Sequence, residues 1–306
     1  MKPKTNIHTA IVTGATGAIG TALISILLDR GINIIALVRS DSPRITNIPQ
    51  DDKVTLVNCS LSEIKNLKTG IKADAFFHLG WDGTFGEKRN DLKLQVSNID
   101  FTLDAVDLAK KAGCSVFVGI GSQAEYGRTE ETMKPDGKLV PETGYGIGKV
   151  AAASFMHARC AQLGIRSCWG RLLSAFGPND GSETLMNYVI RSLLKNESPA
   201  LTKCDQIWDL LYSKDVAYAM LAMAENGKDG ANYVICSGKN MPLRTYIESA
   251  KKVIGSTAEL RFGARPYNEK QVMRMTGNNQ TLMDDTGWAP KYSFEEAVKD
   301  YLLTIK

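Results

Sequence analysis

The chain has 306 residues, 43% of them apolar, which is enough to bury a large core in one domain or two. Its formal net charge is only +4, with no basic run, so nucleic-acid binding has no electrostatic support. Six scattered cysteines without a CxxC pair predict buried thiols in a reducing cytoplasm, and three isolated histidines suggest no zinc site.

The chain begins with a predicted strand from Ile7 to Thr13, a glycine-rich turn and a helix from Thr21 to Arg30. The uncharged run from Thr9 to Leu28 imitates a signal peptide or a membrane span, but its glycines dilute it and a strand followed by a helix explains it. We therefore predict no membrane association and a cytoplasmic location.

Glycines at spacing three allow positive φ angles and close backbone approach, and the helix start offers unpaired N–H groups to a pyrophosphate. A tight turn without any ligand is the alternative. The predicted phosphate contacts are Gly14, Thr16, Gly17, Ala18, Ile19 and Gly20.

A second predicted strand, Ile32 to Val38, ends at Arg39 and Ser40. At this position an NAD site would place an acidic residue on the ribose, and an NADP site would place an arginine near the 2′-phosphate. Because the acid is missing and Arg39 takes its place, the sequence favours NADP, with NAD as the other possibility. An exposed loop arginine without a ligand is the alternative.

Val54 to Cys59 and Asp74 to Leu79 are the third and fourth predicted strands. The loop after Gly80 carries Trp81 and Asp82, and loops at the carboxyl ends of such strands bind ligands, although a tryptophan often serves packing alone. A long helix is predicted from Lys88 to Ala112.

That helix carries two apolar stripes. One stripe can cover the sheet, and the other needs a second helix of this chain or a second subunit. The stripes are Leu92, Val96, Ile99, Leu103 and Val106, and Leu94, Phe101, Ala105 and Leu108.

The fifth predicted strand, Cys114 to Gly121, ends at Ser122, and a helix begins near Gly144. Tyr145 and Lys149 lie four residues apart and so share one face of that helix. A surface pair is the alternative when these two residues are considered alone. A sixth strand is predicted from Ile165 to Leu173.

A break at residues 177–181 marks the start of a second region. Its predicted elements are helices over Glu183 to Lys195, Ser213 to Glu225 (capped by Ser213), Pro242 to Ile254 and Ser293 to Leu303, and strands over Ile207 to Tyr212 and Asn232 to Cys236.

Together these features resemble the extended short-chain dehydrogenase/reductase superfamily, in its nucleotide-sugar-modifying branch, the NAD-dependent epimerase/dehydratase family. Matching segments occur in order along nearly the whole chain: 13–20, 78–80, Asn98, Ser122 with 126–127, Tyr145 with Lys149, Arg171, 176–178, 208–217, 265–266 and 282–290. The resemblance implies a doubly wound parallel-sheet Rossmann domain at residues 1–173, to which parts of 207–240 return, and a smaller mixed α/β substrate-binding region at 174–306.

A hydride transfer at a carbonyl carbon needs a proton moved at the oxygen, and a free tyrosine with a pKa of about 10 is a weak base near neutrality. A Lys149 ammonium would favour the phenolate of Tyr145. The resemblance makes Ser122, Tyr145 and Lys149 catalytic, with Ser122 positioning the substrate oxygen and Lys149 also binding the nicotinamide ribose.

The resemblance extends the cofactor contacts beyond the glycine turn and adds a substrate set. Arg265 matches an arginine that grips the diphosphate, and Ser174 stands where an asparagine often does so. The added cofactor contacts are Arg39, Ser40, Leu61, Leu79, Gly80, Asn98, Tyr145 and Lys149, the substrate contacts are Trp81, Asp82, Gln123, Ser174 and Arg265, and no metal is implied.

Departures from the family pattern select among its reactions. Gln123 and Ala124 replace the Asp-Glu pair of sugar 4,6-dehydratases, which argues against dehydration. The sequence therefore predicts an NADPH-dependent reductase of a nucleoside-diphosphate 4-keto-6-deoxy sugar, a deoxysugar-biosynthesis enzyme acting as a homodimer. The alternatives are a nucleotide-sugar 4-epimerase with tightly bound NAD, a reductase of non-sugar carbonyls, and a non-catalytic NADP-sensing protein.

Overall fold

The computed structural model describes residues 5–67 and 70–305. Seven strands form one parallel sheet in the order β10-β6-β5-β4-β1-β2-β3. These strands are β1 Thr9–Thr13, β2 Asn33–Val38, β3 Val54–Asn58, β4 Ala75–His78, β5 Val116–Ser122, β6 Arg166–Leu172 and β10 Ala231–Ile235. The predicted parallel Rossmann sheet is therefore confirmed.

Side chains alternate along each buried strand, so both faces of the sheet carry apolar side chains. Helices cover both faces and bury these side chains. In β1, Ala10 and Val12 face a core that includes α1 and α5, whereas Ile11 faces a core formed with α2 and α3. These four helices are α1 Ala18–Asp29, α2 Leu92–Ala112, α3 Gly144–Leu163 and α5 Ser213–Asn226.

Helix α7, Gln280–Thr286, packs on α5 and β10, and its Leu282 belongs to the core of the parallel sheet. The other elements build a smaller region with its own apolar core. This region contains a three-stranded sheet, β11-β8-β12, and a two-stranded sheet, β7-β9. Its elements are β7 Ala175–Phe176, α4 Leu185–Leu194, β8 Ile207–Trp208, β9 Leu211–Tyr212, β11 Met241–Pro242, α6 Leu243–Ile254, β12 Arg274–Met275 and α8 Phe294–Leu302.

The predicted strand over residues 207–212 is wrong as a single element. The structure divides it into β8 and β9, which belong to different sheets. Between them Asp209 is fully buried, and its carboxylate accepts hydrogen bonds from the backbone N–H groups of Ser237 and Gly238. This buried anchor fixes the chain where it passes from one sheet to the other.

Several predicted helix starts also differ, and α1 begins at Ala18 rather than Thr21 and α4 at Leu185 rather than Glu183. Residues 87–90 form a short 3₁₀ turn, and α2 begins after Asp91, whose side chain accepts from the Leu94 N–H and caps the helix. Ser213 is the first residue of α5 rather than its cap, since the N-cap is Tyr212.

All six cysteines lie within the described residues and are buried thiols, as predicted. Within residues 5–67 and 70–305, no helix is both long enough and apolar enough to cross a bilayer. The same residues contain no group of three His, Cys, Asp or Glu side chains arranged to hold a metal ion.

Candidate active site

The glycine turn joins β1 to α1. A different physical reason explains why glycine, rather than a residue with a side chain, occupies each of its three positions. Gly14 has φ +67°, and a Cβ there would lie 2.7 Å from the Leu79 carbonyl carbon. A Cβ at Gly20 would lie 2.2 Å from the Gly14 carbonyl oxygen. At Gly17, by contrast, the nearest atom would be 3.7 Å away, so packing does not explain this glycine.

Gly17 is the N-cap of α1 and provides no side chain to cap the helix. The first-turn N–H groups, which include those of Ala18 and Ile19, have no acceptor within the helix. No acidic residue lies in that turn to occupy the positive end of the helix dipole. A bare backbone at the start of an uncapped helix suits a pyrophosphate, and the phosphate contacts expected here stay a prediction.

A cleft, here called the cofactor cleft, lies in front of the glycine turn. It brings together residues from the loops after β1, β2, β3 and β4. Arg39 lies on its rim, where its guanidinium is 3.9 Å from the Asp41 carboxylate, and the neighbouring Ser40 N–H donates to the Asn58 side chain. The cleft is lined by Gly14, Ala15, Thr16, Leu37, Val38, Arg39, Ser42, Arg44, Cys59, Leu61, Gly80, Trp81 and Asp82.

Buried side chains of α2 hold the loop after β4. Asn98 accepts from the Asp82 N–H at 2.8 Å and donates to the Asp82 carbonyl at 2.9 Å. Gln95 accepts from the Trp81 indole N–H at 2.8 Å. Asn98, predicted to contact the cofactor, therefore has its amide engaged in shaping the loop that lines the cofactor cleft.

Ser122 ends β5 and caps the short 3₁₀ turn that follows. Its hydroxyl oxygen accepts from the Ala124 N–H, while the Glu125 carboxylate accepts from the Ser122 N–H at 2.9 Å. Glu125 is fully buried and also accepts from the indole of Trp169 and, at 2.7 Å, from the guanidinium of Arg171. A buried ion pair therefore fixes the backbone beneath Ser122.

Lys149 is buried and donates to the Ile120 carbonyl at 2.7 Å. Its ammonium also lies 3.8 Å from the centre of the Trp81 ring, within cation–π range. Burial lowers the pKa of Lys149 to about 7, and the Glu125 charge acts in the opposite direction. Through Trp81, Lys149 is connected to the cofactor cleft.

Tyr145 lies at the start of α3, with its ring edge-on to Trp81 at 6.0 Å. Burial raises the pKa of Tyr145, the Ser122 hydroxyl and the Arg89 guanidinium lower it, and Glu125 raises it. The Arg89 guanidinium is therefore a cation near this phenol that was not predicted. Lys149 donates to Ile120 and lies against Trp81, with its ammonium 5.9 Å from the centre of the Tyr145 ring, and its expected effect on the Tyr145 phenolate stays a prediction.

The other predicted substrate residues lie on separate elements. Gln123 is in the 3₁₀ turn after Ser122, and the Ser174 carbonyl accepts from the Leu211 N–H. Arg265 is exposed, and its guanidinium lies 5.4 Å from the centre of the Tyr188 ring of α4. Trp81 and Asp82 line the cofactor cleft, so their predicted contact with the sugar stays a prediction.

His78 connects the glycine turn to α2 and supplies a pH-dependent contribution to stability. Its ring contacts the hydroxyls of Thr13 at 3.0 Å and Thr102 at 3.3 Å, and Thr13 in turn accepts from the Gly80 N–H. Burial, with help from the Lys149 charge, lowers the pKa of His78 to about 3.

Because the unfolded chain binds a proton at His78 below pH 6.5 and the folded chain does not until about pH 3, the free energy of unfolding should fall as pH falls through this window. The expected slope is about 1.4 kcal/mol per pH unit from this residue. His78→Gln should reduce the slope measured by urea unfolding between pH 6.5 and 4.5. The exposed His8→Gln is the control, and equal slopes in both variants would contradict the assignment.

The chain is similar to known proteins in family, sequence and fold. The model of the NAD dependent epimerase/dehydratase family matches residues 10–236. A CDP-abequose synthase of Salmonella typhimurium is 25% identical, over 95% of this chain and 96% of its own length. A GDP-6-deoxy-D-mannose reductase of Pseudomonas aeruginosa is 26% identical, over 75% of this chain and 79% of its own length.

Solved structures share the fold at lower identity. A UDP-N-acetylglucosamine 4-epimerase of Methanobrevibacter ruminantium, in complex with UDP-N-acetylmuramic acid, has a TM-score of 0.86 at 20% identity, covering 99% of this chain and 98% of its own. RMD of Pseudomonas aeruginosa, complexed with NADPH, has a TM-score of 0.78 at 22% identity, covering 97% of this chain and 98% of its own. At these identities the likeness establishes the fold.

Proposed function

Because this chain belongs to the NAD dependent epimerase/dehydratase family of nucleotide-sugar-modifying enzymes, we propose that it is an NADPH-dependent reductase of a nucleoside-diphosphate 4-keto-6-deoxy sugar. The observation that carries the proposal is that the cations Arg39 and Arg44 line the same cleft as the glycine turn. Two cations beside the adenine-ribose position suit a 2′-phosphate. The similarity to a GDP-6-deoxy-D-mannose reductase and to an NADPH-bound structure supports the same choice.

NADPH, when bound, supplies the hydride that reduces C4 of the sugar. Tyr145 donates the proton to the C4 oxygen, so that the ketone becomes an alcohol and the phenol becomes a phenolate. The Ser122 hydroxyl holds that oxygen, and Glu125 fixes the backbone of Ser122. Lys149 would bind the nicotinamide ribose. Neither Gln123 nor Ala124 offers the acid and base that dehydration needs.

For the substrate, we infer that residues 174–306 supply the nucleotide contacts. Arg265 offers an exposed cation for the diphosphate, with Ser174 as a further contact and Gln123 near the sugar. Trp81 and Asp82, held by Gln95 and Asn98, would face the sugar from the cofactor side.

The experiment that tests this proposal follows NADPH absorbance while the purified protein is incubated with a panel of nucleoside-diphosphate 4-keto-6-deoxy sugars. We expect NADPH consumption, equimolar with the alcohol formed, with at least one member. A protein that retains NAD through purification and interconverts C4 epimers without net consumption of NADPH would instead be a 4-epimerase, and one that binds NADP without any turnover would be a sensing protein.

Cofactor choice provides a separate prediction. Arg39→Ala should weaken NADPH binding about tenfold or more and leave NADH binding within about twofold, because a charge-assisted contact to phosphate contributes about 1.5–3 kcal/mol. The matched control is Arg30→Ala, which removes a surface arginine paired with Glu225. Cofactor titration by calorimetry measures both, and an equal effect of Arg39→Ala on the two cofactors would contradict the proposed role.

The proposed homodimer has a surface of defined composition. Although α2 and α3 pack on each other, Leu92 and Val96 of α2 and Ile147 and Phe155 of α3 remain exposed. Apolar side chains clustered on adjacent helices favour a second copy of the chain. We expect a dimer in analytical ultracentrifugation and a monomer after Val96→Asp with Phe155→Asp. A native chain that sediments as a monomer would contradict this.

A further inference from the structure

Arg89 is a cation beside the proposed proton donor that no sequence motif indicates. It lies in the 3₁₀ turn Glu87–Asn90, and the carbon at the centre of its guanidinium lies 4.4 Å from the centre of the Tyr145 ring. This distance is well within the range of a cation–π contact. The ammonium of Lys149 is farther away, at 5.9 Å from the same ring.

The turn that carries Arg89 is anchored on both sides. The Arg89 guanidinium donates to the Thr84 carbonyl at 2.9 Å, within the loop after β4. The next residue, Asn90, accepts from the Gly144 N–H at 3.1 Å, at the first residue of α3. These contacts connect the loop to the first turn of α3, where Tyr145 lies, and so they restrict where the Arg89 charge can be.

From this geometry we infer that Arg89 is a positioning residue for Tyr145, holding a positive charge against the ring and stabilising the phenolate formed when the proton is donated. The inference rests on the proposed function, in which Tyr145 is the proton donor. A fixed cation within 4–6 Å of an acid favours its ionised form. Arg89 thus adds a positive charge beside Tyr145 to that of Lys149, which the Tyr-x-x-x-Lys spacing places on the same helix.

Other groups around Tyr145 determine how large this effect is. The Ser122 hydroxyl faces the phenol from the end of β5, and the Glu125 carboxylate lies in the turn beyond it and opposes the cation. Trp81 packs edge-on to the ring, and the Lys149 ammonium lies 3.8 Å from the centre of the Trp81 ring. Because burial raises the pKa of Tyr145, a nearby cation is needed to bring the phenolate back within reach.

The test measures the phenol directly, without substrate. Protein labelled with 3-fluorotyrosine, whose phenol is more acidic than that of tyrosine, is titrated by ¹⁹F NMR between pH 6 and 11, and the Tyr145 resonance is assigned by its loss in Tyr145→Phe. Arg89→Met should raise the apparent pKa of this phenol by about one unit. Arg89→Lys, which keeps the charge, should restore most of the native value.

Lys88→Met is the matched control, because it removes one positive charge from the same turn and its side chain is exposed. It should leave the Tyr145 titration unchanged within 0.2 units. Equal shifts in the two Met variants, no shift in Arg89→Met, or a Tyr145 resonance that does not titrate below pH 11 in the native chain would each overturn the inference. If Arg89→Met does not fold, a native-like titration in Arg89→Gln would overturn it equally.

The same variants separate this inference from the proposed function. If no 4-keto sugar is reduced, the proposed reductase function is contradicted. The titration still measures the effect of Arg89 on the pKa of Tyr145. If a substrate is found, the pH at which reduction declines on the alkaline side should move upward by the same amount in Arg89→Met, and KM should change less than kcat. A loss of kcat with an unchanged pH profile would show that Arg89 is merely structural.

Discussion

Tyr145→Phe is expected to lower kcat by about 10²–10⁴-fold, because the substitution removes the hydroxyl that donates the proton. NADPH binding should weaken far less, since Tyr145 is only one of the predicted cofactor contacts. The ring contacts with Trp81 and Arg89 do not depend on that hydroxyl, so the fold should be preserved. Steady-state kinetics of NADPH oxidation, together with calorimetric titration of the cofactor, measure the two quantities.

Tyr246→Phe is the control for removal of a buried tyrosine hydroxyl. Its hydroxyl donates to the Lys239 carbonyl, in the smaller region, and its loss should leave kcat within about twofold. If Tyr145→Phe retained more than a tenth of the native kcat, Tyr145 would not be the proton donor, and the mechanism proposed for the trio would be wrong.

Glu125→Gln should lower the free energy of unfolding by about 3–5 kcal/mol. The carboxylate is fully buried and pairs with the nearly buried Arg171 guanidinium, so a neutral amide leaves a buried cation without its counter-charge. Chemical denaturation measures the loss. Since Glu125 also fixes the Ser122 backbone, kcat should fall in the folded fraction as well.

A second ion pair of this chain provides the comparison. Glu142 pairs with Arg128 at 2.8 Å, close to the 2.7 Å of the buried pair, but both side chains are more than a third exposed. Glu142→Gln should therefore change the free energy of unfolding far less than Glu125→Gln does. In addition, Glu125→Gln combined with Arg171→Met should recover part of the lost stability, because both charges are then absent. Equal costs for the two single variants would mean that burial does not determine the strength of the pair.

The parts of the fold that depend on local pattern could be predicted from the sequence. Three glycines between an apolar strand and a helix identify the dinucleotide turn, and Gly14 and Gly20 are required there by close backbone contacts. Tyr145 and Lys149 share a helix face by spacing alone. Apolar runs locate the central strands, as buried parallel strands require, although the predicted bounds differ from the observed ones by up to two residues.

The parts that depend on tertiary contacts could not be predicted in this way. Arg89 reaches Tyr145 only because the loop after β4 folds onto the start of α3, and no spacing in the sequence encodes that approach. The direction of the Lys149 ammonium is likewise determined by the Ile120 carbonyl and the Trp81 ring. The division of residues 207–212 depends on where the buried Asp209 finds its partners.

The role of Glu125 could be predicted in part from local sequence and depends in part on tertiary contacts. Ser122 followed three residues later by Glu125 is the pattern of a capping box, a signal that could have identified the carboxylate from sequence. Its partner could be located only from the sheet, where Gly121 of β5 pairs with Arg171 of β6. A Cβ at Gly121 would lie 2.2 Å from the Glu125 carboxylate, which explains the glycine before Ser122.

The central claim, net hydride transfer to C4 of a nucleotide sugar, is tested most directly with NADPH deuterated at the C4 position of its nicotinamide, using each stereoisomer in turn. The account predicts that one isomer places a single deuterium on C4 of the sugar product, detected by NMR, with one NADPH oxidised per product molecule. Deuterium absent from the product with both isomers, alongside sugar epimers formed without NADPH oxidation, would contradict it.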